Sequence, residues 1–155
     1  MTNPIETLRA AHHVVVHDFP ERDIPDSLTR AGLAVTIYGG PDPADIVASE
    51  LVDGAVVHRQ TGRRPDSADL LYVYRPLAEI DGILADAGRL GVRTIWRQPD
   101  IGGGPDPDAD AWRTRVEAAG IVYVDAPPIN DVARLLASDE RPAVVSSPPS
   151  REKEE

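Results

Sequence analysis

The chain contains no cysteine and, among its 155 residues, one lysine, Lys153. The first absence excludes disulfides, thiolate nucleophiles and cysteine-ligated metals. The second removes a P-loop lysine and a Schiff-base lysine, because Lys153 stands in a polar stretch with no glycine-rich loop or apolar pocket around it. A GxSxG nucleophile elbow and an HExxH zinc motif are missing as well. No apolar run approaches the roughly 20 residues of a membrane-spanning helix. The first residues hold no apolar stretch behind a basic start, so a soluble, cytoplasmic protein without membrane contact is expected. Basic charge is also short: 16 Lys and Arg stand against 26 Asp and Glu, a formal net charge of −10. Nothing then offsets phosphate repulsion over a broad face, and no nucleic-acid partner is expected. A small anionic ligand is still allowed, because Arg59, Arg63, Arg64, Arg75 and Arg97 fall in or near predicted loops. The length suits one domain, which at this size buries roughly two thirds of its unfolded surface.

What is present begins with two short runs, ADLLYVYRP (residues 68–76) and GVRTIWRQPDIG (residues 91–102). Each is β-branched and aromatic, closes on Arg, Gln, Pro or Gly, and a helix-length segment separates them. That is the pattern of two parallel strands joined by a crossover helix. Their polar ends, Tyr74, Arg75, Arg97 and Gln98, fall where open α/β sheets bind ligands. The other elements follow the same logic. Val14, Val15 and Val16 form a first strand, left through His17, Asp18, Phe19 and Pro20. A short helix follows over about residues 26–31, with Pro25 and Asp26 in its first turn and Gly32 as its stop. Residues 33–38 read as a second strand. Val52, Asp53 and Gly54, flanked by Ile46-Val47 and Ala55-Val56-Val57, read as an antiparallel hairpin with Asp-Gly at its tip. Residues 70–74 are a third strand. Leu77, Ile80, Ile83, Leu84 and Ala87 have helical spacing over residues 77–90. Strands over 93–96 and 121–125 and helices over 108–119 and 129–136 complete the chain. Beyond Ser138 the sequence DERPAVVSSPPSREKEE lacks apolar surface, so residues 139–155 are expected to be a disordered acidic tail.

Several groups invite sharper readings that their chemistry does not sustain. His12 and His13 point to opposite faces of a strand and cannot chelate one ion together. His58 lies in the hairpin with no acidic partner that sequence identifies, and no metal site is expected. Asp106, Asp108, Asp110 and Glu117 mimic EF-hand spacing, but Ala111 stands where the turn needs glycine and Pro107 stiffens the loop. These acids are better read as capping a helix and complementing its dipole. Gly102, Gly103 and Gly104 precede a Pro-Asp-Pro-Asp run whose carboxylates would repel phosphate, so they are not a dinucleotide fingerprint, although Asp42 could reach a ribose hydroxyl.

LTRAGLAVTIYGG (28–40), ADLLYVYRP (68–76), AGRLGVRTIWRQPDIG (87–102) and AAGIVYVDAPPINDVARLL (118–136) together resemble the small stand-alone CoA-binding domain proteins, whose fold is like the N-terminal nucleotide domain of succinyl-CoA synthetase. The resemblance spans residues 12–138, after an N-terminal segment of residues 1–11. It implies a single Rossmann-like, doubly wound parallel sheet of order 3-2-1-4-5, with the antiparallel hairpin inserted after strand two. It also implies that the ADP part of CoA lies over the carboxyl ends of the strands, with phosphates near the first helix. This chain departs from the family in several places, among them Asp131, which stands near a usual glutamate. His17-Asp18-Phe19-Pro20-Glu21-Arg22 replaces the glycine-containing loop after the first strand, Tyr38-Gly39-Gly40 replaces a Val-Asn-Pro, and Pro127 stands where a cysteine is common.

The expected cofactor is therefore CoA or an acyl-CoA, held without catalysis. Tyr74, Arg75 and Pro76 would line one wall and Gln98 another, and backbone amides from Phe19 to Arg22 and at Gly39 and Gly40 would face the phosphates. Arg75 can pair bidentately with phosphate, or else with Asp69 or Glu79. Tyr74 can lie against adenine or simply pack. His17 can donate to a phosphate, or fill the space a ligand would occupy. Two further readings stand beside this one. A degenerate domain that has lost the nucleotide would act as a protein-interaction or scaffold module, with a protein partner or a second copy of itself. NAD(P)-type binding or an accessory enzyme role would pair His17 with Asp18 or Asp125 for acid–base work.

Overall fold

The structure, a computed structural model, describes residues 3–39, 42–99 and 105–145. Short helix α1 (Pro4–Ala10) opens the chain, its first amides capped by the Asn3 side chain, and buries Leu8. There follow β1 (His13–His17), α2 (Asp23–Arg30), β2 (Ala34–Tyr38), a hairpin of β3 (Ile46–Val52) and β4 (Ala55–Gln60), then β5 (Leu70–Val73), α3 (Ile80–Leu90), β6 (Thr94–Arg97), α4 (Ala109–Ala118), β7 (Val122–Val124) and α5 (Ile129–Val145). They build one mixed, mostly parallel sheet of seven strands in the order β4-β3-β2-β1-β5-β6-β7. Two core clusters flank it. Val14, Val16, Leu70, Tyr72 and Trp96 pack under α1, α2 and α5. Val15, Leu71, Val73 and Ile95 pack under α3 and α4 with Trp112. The α/β class and the doubly wound arrangement of the sequence reading are therefore present.

The strand order differs from 3-2-1-4-5 in one respect. The place beside β2 is taken by the hairpin, and the third parallel strand, β5, lies on the other side of β1. Burial explains the difference. All four residues of β5 are buried, so it needs cover on both faces and a central position. β4 is exposed along almost its whole length and suits an edge. The hairpin itself forms as its turn chemistry predicts, with Asp53 at φ 53° and Gly54 at φ 83°.

Boundaries shift in three places. α2 begins at Asp23, three residues before the expected start at Asp26, and the helix before β6 starts with a 3-10 turn at Leu77–Glu79. α5 runs on to Val145, so residues 139–145, expected to be disordered, are helical. With no glycine stop after Leu136, the helix propagates through residues that each add a backbone bond to an existing helix, Pro142 excepted, since it has no amide to donate. Residues 146–155 lie outside the described residues.

Asp69, just before β5, fastens the sheet's centre. Its carboxylate accepts the main-chain amides of His12 at 2.7 Å and His13 at 2.9 Å. Burial pushes this carboxyl up, but the two amide bonds outweigh it and hold it below the ordinary value. Asp69→Ala is expected to destabilise the fold by about 1.5–2 kcal/mol, the low end for charge-assisted bonds because the group is partly exposed. Urea denaturation measures this. A loss within about 0.5 kcal/mol, typical of a surface change, would mean that the ladder alone fixes the β1–β5 register.

Candidate functional site

A cleft of about 370 Å³ opens at the carboxyl ends of β1, β5 and β6. Its position follows from the topology. The crossover after β1 lies on one face of the sheet and the crossover after β5 on the other, so the two strands diverge there into a crevice. The cleft is lined by Asp18 after β1, by Tyr74, Arg75 and Pro76 after β5, by Arg97 and Gln98 at the end of β6, and by the loop from Pro105 to Asp108. Four of the nine expected cofactor-binding residues, Tyr74, Arg75, Pro76 and Gln98, thus share one wall system.

The chemistry of that wall is more acidic than the sequence suggested. Arg75 donates Nε to Glu79 Oε1 at 2.8 Å and Nη1 to Asp18 Oδ2 at 2.9 Å, and its Nη2 bonds Glu79 as well. Of the alternative partners expected for Arg75, Glu79 is used and Asp69 is not. The Arg75 hydrogen bond holds the Glu79 carboxyl below its ordinary value. Asp18 adopts a left-handed backbone, φ 64°, a conformation that favours glycine and that aspartate tolerates better than most residues. Its other oxygen accepts the Phe19 amide at 2.8 Å. One carboxylate therefore sits on both an amide and a guanidinium that were expected to meet phosphate.

Arg97, expected in a loop, is instead the buried last residue of β6, with its side chain 7% exposed. Its two terminal nitrogens grip Asp106 at 2.7 and 2.9 Å, and Nη1 also reaches the Tyr123 hydroxyl at 3.1 Å. The guanidinium lies 5.3 Å from the Trp112 ring. Burial pushes the Tyr123 hydroxyl up to about 12, against the pull of Arg97. Asp106 thus serves as an ion-pair partner. Asp108 occupies the N-cap position of α4 without a side-chain capping bond, its amide donates to the Asp106 carboxylate, and Asp110 lies in the first turn, where its charge complements the helix dipole as expected.

The remaining expected residues lie apart from the cleft. His17 turns toward α3, where Nε2 meets Asp86 at 3.2 Å and the ring lies 4.5 Å from Tyr38. Its acid partner is thus Asp86, neither Asp18 nor Asp125. Burial pushes the Asp86 carboxyl up, and hydrogen bonds from His17 and Arg89 more than reverse this. Phe19 packs against the core beneath α2, and Arg22 is exposed at the start of that helix. The Gly39 amide donates to Asp45 O at 3.0 Å. A Cβ at Gly39 would stand 2.9 Å from the same oxygen, so this glycine closes the turn into β3. Gly40 and the Gly102-Gly103-Gly104 run lie outside the described residues.

One constellation has a familiar outline. Ser49 Oγ lies 2.8 Å from His58 Nδ1, and His58 Nε2 lies 3.6 Å from Asp26 Oδ1. Ser49 is 2% exposed beneath the hairpin, so no substrate carbonyl can approach its oxygen. The group ties the hairpin to α2. Sequence could not name the partner of His58 because Asp26 reaches it only through packing. Among the described residues no three His, Cys, Asp or Glu side chains gather as a metal would require, and no helix is long and apolar enough to cross a membrane.

No family model and no curated protein matches the chain. Among solved structures it is similar to a PH1109 protein redesigned for binding, at 15% sequence identity and a TM-score of 0.58, over 86% of this chain and 89% of that one. At that identity the likeness shows a shared fold.

Proposed function

We propose that the chain is a non-enzymatic cytoplasmic module that binds the ADP portion of CoA or an acyl-CoA in the cleft at the carboxyl ends of β1, β5 and β6. The observation that carries this reading is the convergence of Tyr74, Arg75, Pro76 and Gln98 on one crevice at the point where the strand order reverses. The volume lies within the range of small-ligand sites. The carboxylates on Arg75 do not block the reading. Arg75 is 36% exposed and Asp18 47%, and pairs so exposed contribute only about 0–1 kcal/mol, so a phosphate can take over the guanidinium. Tyr74 and Pro76 supply flat surface for a base, and Gln98 a hydrogen bond.

Titration calorimetry with CoA tests this. Saturable heat is expected, and Asp18→Asn is expected to tighten binding by about three- to tenfold, because it removes a negative charge that competes for Arg75. No heat at millimolar CoA with a folded sample refutes the reading.

A second reading rests on Asp18 alone. Its carboxylate satisfies the Phe19 amide and the Arg75 guanidinium together, as a ligand anion would. That arrangement supports a degenerate domain which has lost the nucleotide and acts as an interaction module. Nucleotide retained through purification would exclude it.

A further inference from the structure

We infer that the carboxyl end of β2, on the α3 face of the sheet, is a second anion site, in which Arg64, Arg89 and the Tyr38 hydroxyl bind a phosphate monoester. Five arginines, Arg59, Arg63, Arg64, Arg75 and Arg97, are the ones the sequence offers to an anion. The structure neutralises three of them. Arg59 pairs with Glu50, Arg75 with Asp18 and Glu79, and Arg97 with Asp106. Arg63 and Arg64 meet no carboxylate among the described residues. In a chain of net charge −10 they are two adjacent, uncompensated cations.

The surroundings fix where this charge sits. The Arg64 guanidinium lies over the Tyr38 ring, 5.6 Å from its centroid. A ring contact engages the face of a guanidinium and leaves the N–H fork at its edge for an anion. Tyr38 ends β2, and its ring lies 4.5 Å from that of His17, which ends β1. Arg89 of α3 donates Nη2 to the Tyr38 hydroxyl at 3.3 Å and Nη1 to the carbonyl of Pro65, next to Arg64, at 3.0 Å. One arginine thus fastens both the ring and the loop that carries Arg64. The acid of this group, Asp86, is its buried member, and both its oxygens are occupied, Oδ1 by Arg89 and Oδ2 by His17. Burial pushes the Tyr38 hydroxyl up, so it keeps its proton, which finds no acceptor among the described residues. The exposed part of the group therefore offers an O–H donor and two guanidinium groups. A phosphate monoester carries about −1.5 to −2 at neutral pH, which matches Arg63 and Arg64 together, and its oxygens suit forked donors. The monoester can be the 3′-phosphate of a CoA in the cleft, since only β1 separates β2 from β5 and two strand spacings are roughly 10 Å. It can also belong to a separate small molecule. The first source alone rests on the CoA reading.

Inorganic phosphate is the probe for the site itself. In NMR titrations at constant ionic strength, with chloride as the reference, it should give saturable millimolar shifts at the Arg64 and Arg89 side-chain N–H groups and the Gly39 and Gly62 amides. Arg64→Gln should abolish them and barely change the melting temperature, because Arg64 is exposed. Tyr38→Phe keeps the ring beneath Arg64 and should weaken phosphate about three- to tenfold, the loss of one hydrogen bond. Arg59→Gln should leave the shifts unchanged. Calorimetry then identifies the source. CoA bound roughly tenfold more tightly than dephospho-CoA, with the difference lost in Arg64→Gln, assigns the 3′-phosphate. Equal affinities with the phosphate shifts intact assign a separate monoester. No CoA binding refutes the cleft reading alone, because the phosphate titration decides this site by itself. Phosphate shifts that do not saturate, or that survive Arg64→Gln unchanged, overturn the inference.

Discussion

Asp106→Ala is expected to destabilise the protein by about 3–5 kcal/mol, the cost of leaving a buried charge without its partner. The melting temperature should fall by roughly 6–20 °C, at about 2–4 °C per kcal/mol for a chain of this length. The asymmetry of the pair makes the prediction specific. The Arg97 side chain is 7% exposed and that of Asp106 22%, and a guanidinium cannot escape by losing its proton. Arg97→Met removes the buried charge, fills a similar volume beside Trp112, and leaves a carboxylate that water can reach. It should cost less than half as much. The sign of the pH dependence follows from the same pair. The Arg97 hydrogen bond holds the Asp106 carboxyl below its ordinary value, so the contribution is complete above about pH 4 and is lost as pH falls through the folded value. Melts of wild type between pH 5 and pH 2.5 should steepen downward, and the Asp106→Ala curve should be flatter. Equal losses in the two variants at neutral pH would mean that the pair is solvated.

Arg75→Ala should weaken CoA binding by roughly ten- to a hundredfold, the equivalent of about 1.5–3 kcal/mol for a charge-assisted pair. Its melting temperature should barely move. All the partners of Arg75 are exposed carboxylates at a strand end, and such pairs contribute little to folding. Calorimetry and a thermal melt on the same sample separate the two effects, with Arg141→Ala near the end of α5 as the control that should leave affinity intact. A large fall in melting temperature with unchanged affinity would make Arg75 a structural member of the Asp18–Arg75–Glu79 cluster. The proposed cleft would then lose its anchor.

These two arginines also mark the limit of sequence reading. Both were visible as polar groups at strand ends, since a β-branched run closed by Arg is a local signal. Whether such a group meets solvent or a carboxylate is not local. Asp18 reaches Arg75 from 57 positions away, and the Tyr123 hydroxyl reaches Arg97 from 26. The same holds for His17, whose partner Asp86 is 69 positions distant. α1 is a different case. Asn3 followed by Pro4 is a helix-start signature, and the element could have been read from it.

By itself, the sequence determined what depends on near neighbours. Alternating β-branched and helix-period segments set the α/β class, Asp53-Gly54 set the hairpin, and Gly32 and Gly91 set where α2 and α3 stop, because turn conformations and side-chain periodicity are properties of a few adjacent residues. Tertiary structure alone decided that β5 lies beside β1 with the hairpin outside β2, and that carboxylates occupy the guanidinium groups of the cleft. Both outcomes turn on burial. A strand that is apolar on both faces must take the centre, and the charges brought together beside it must then satisfy one another.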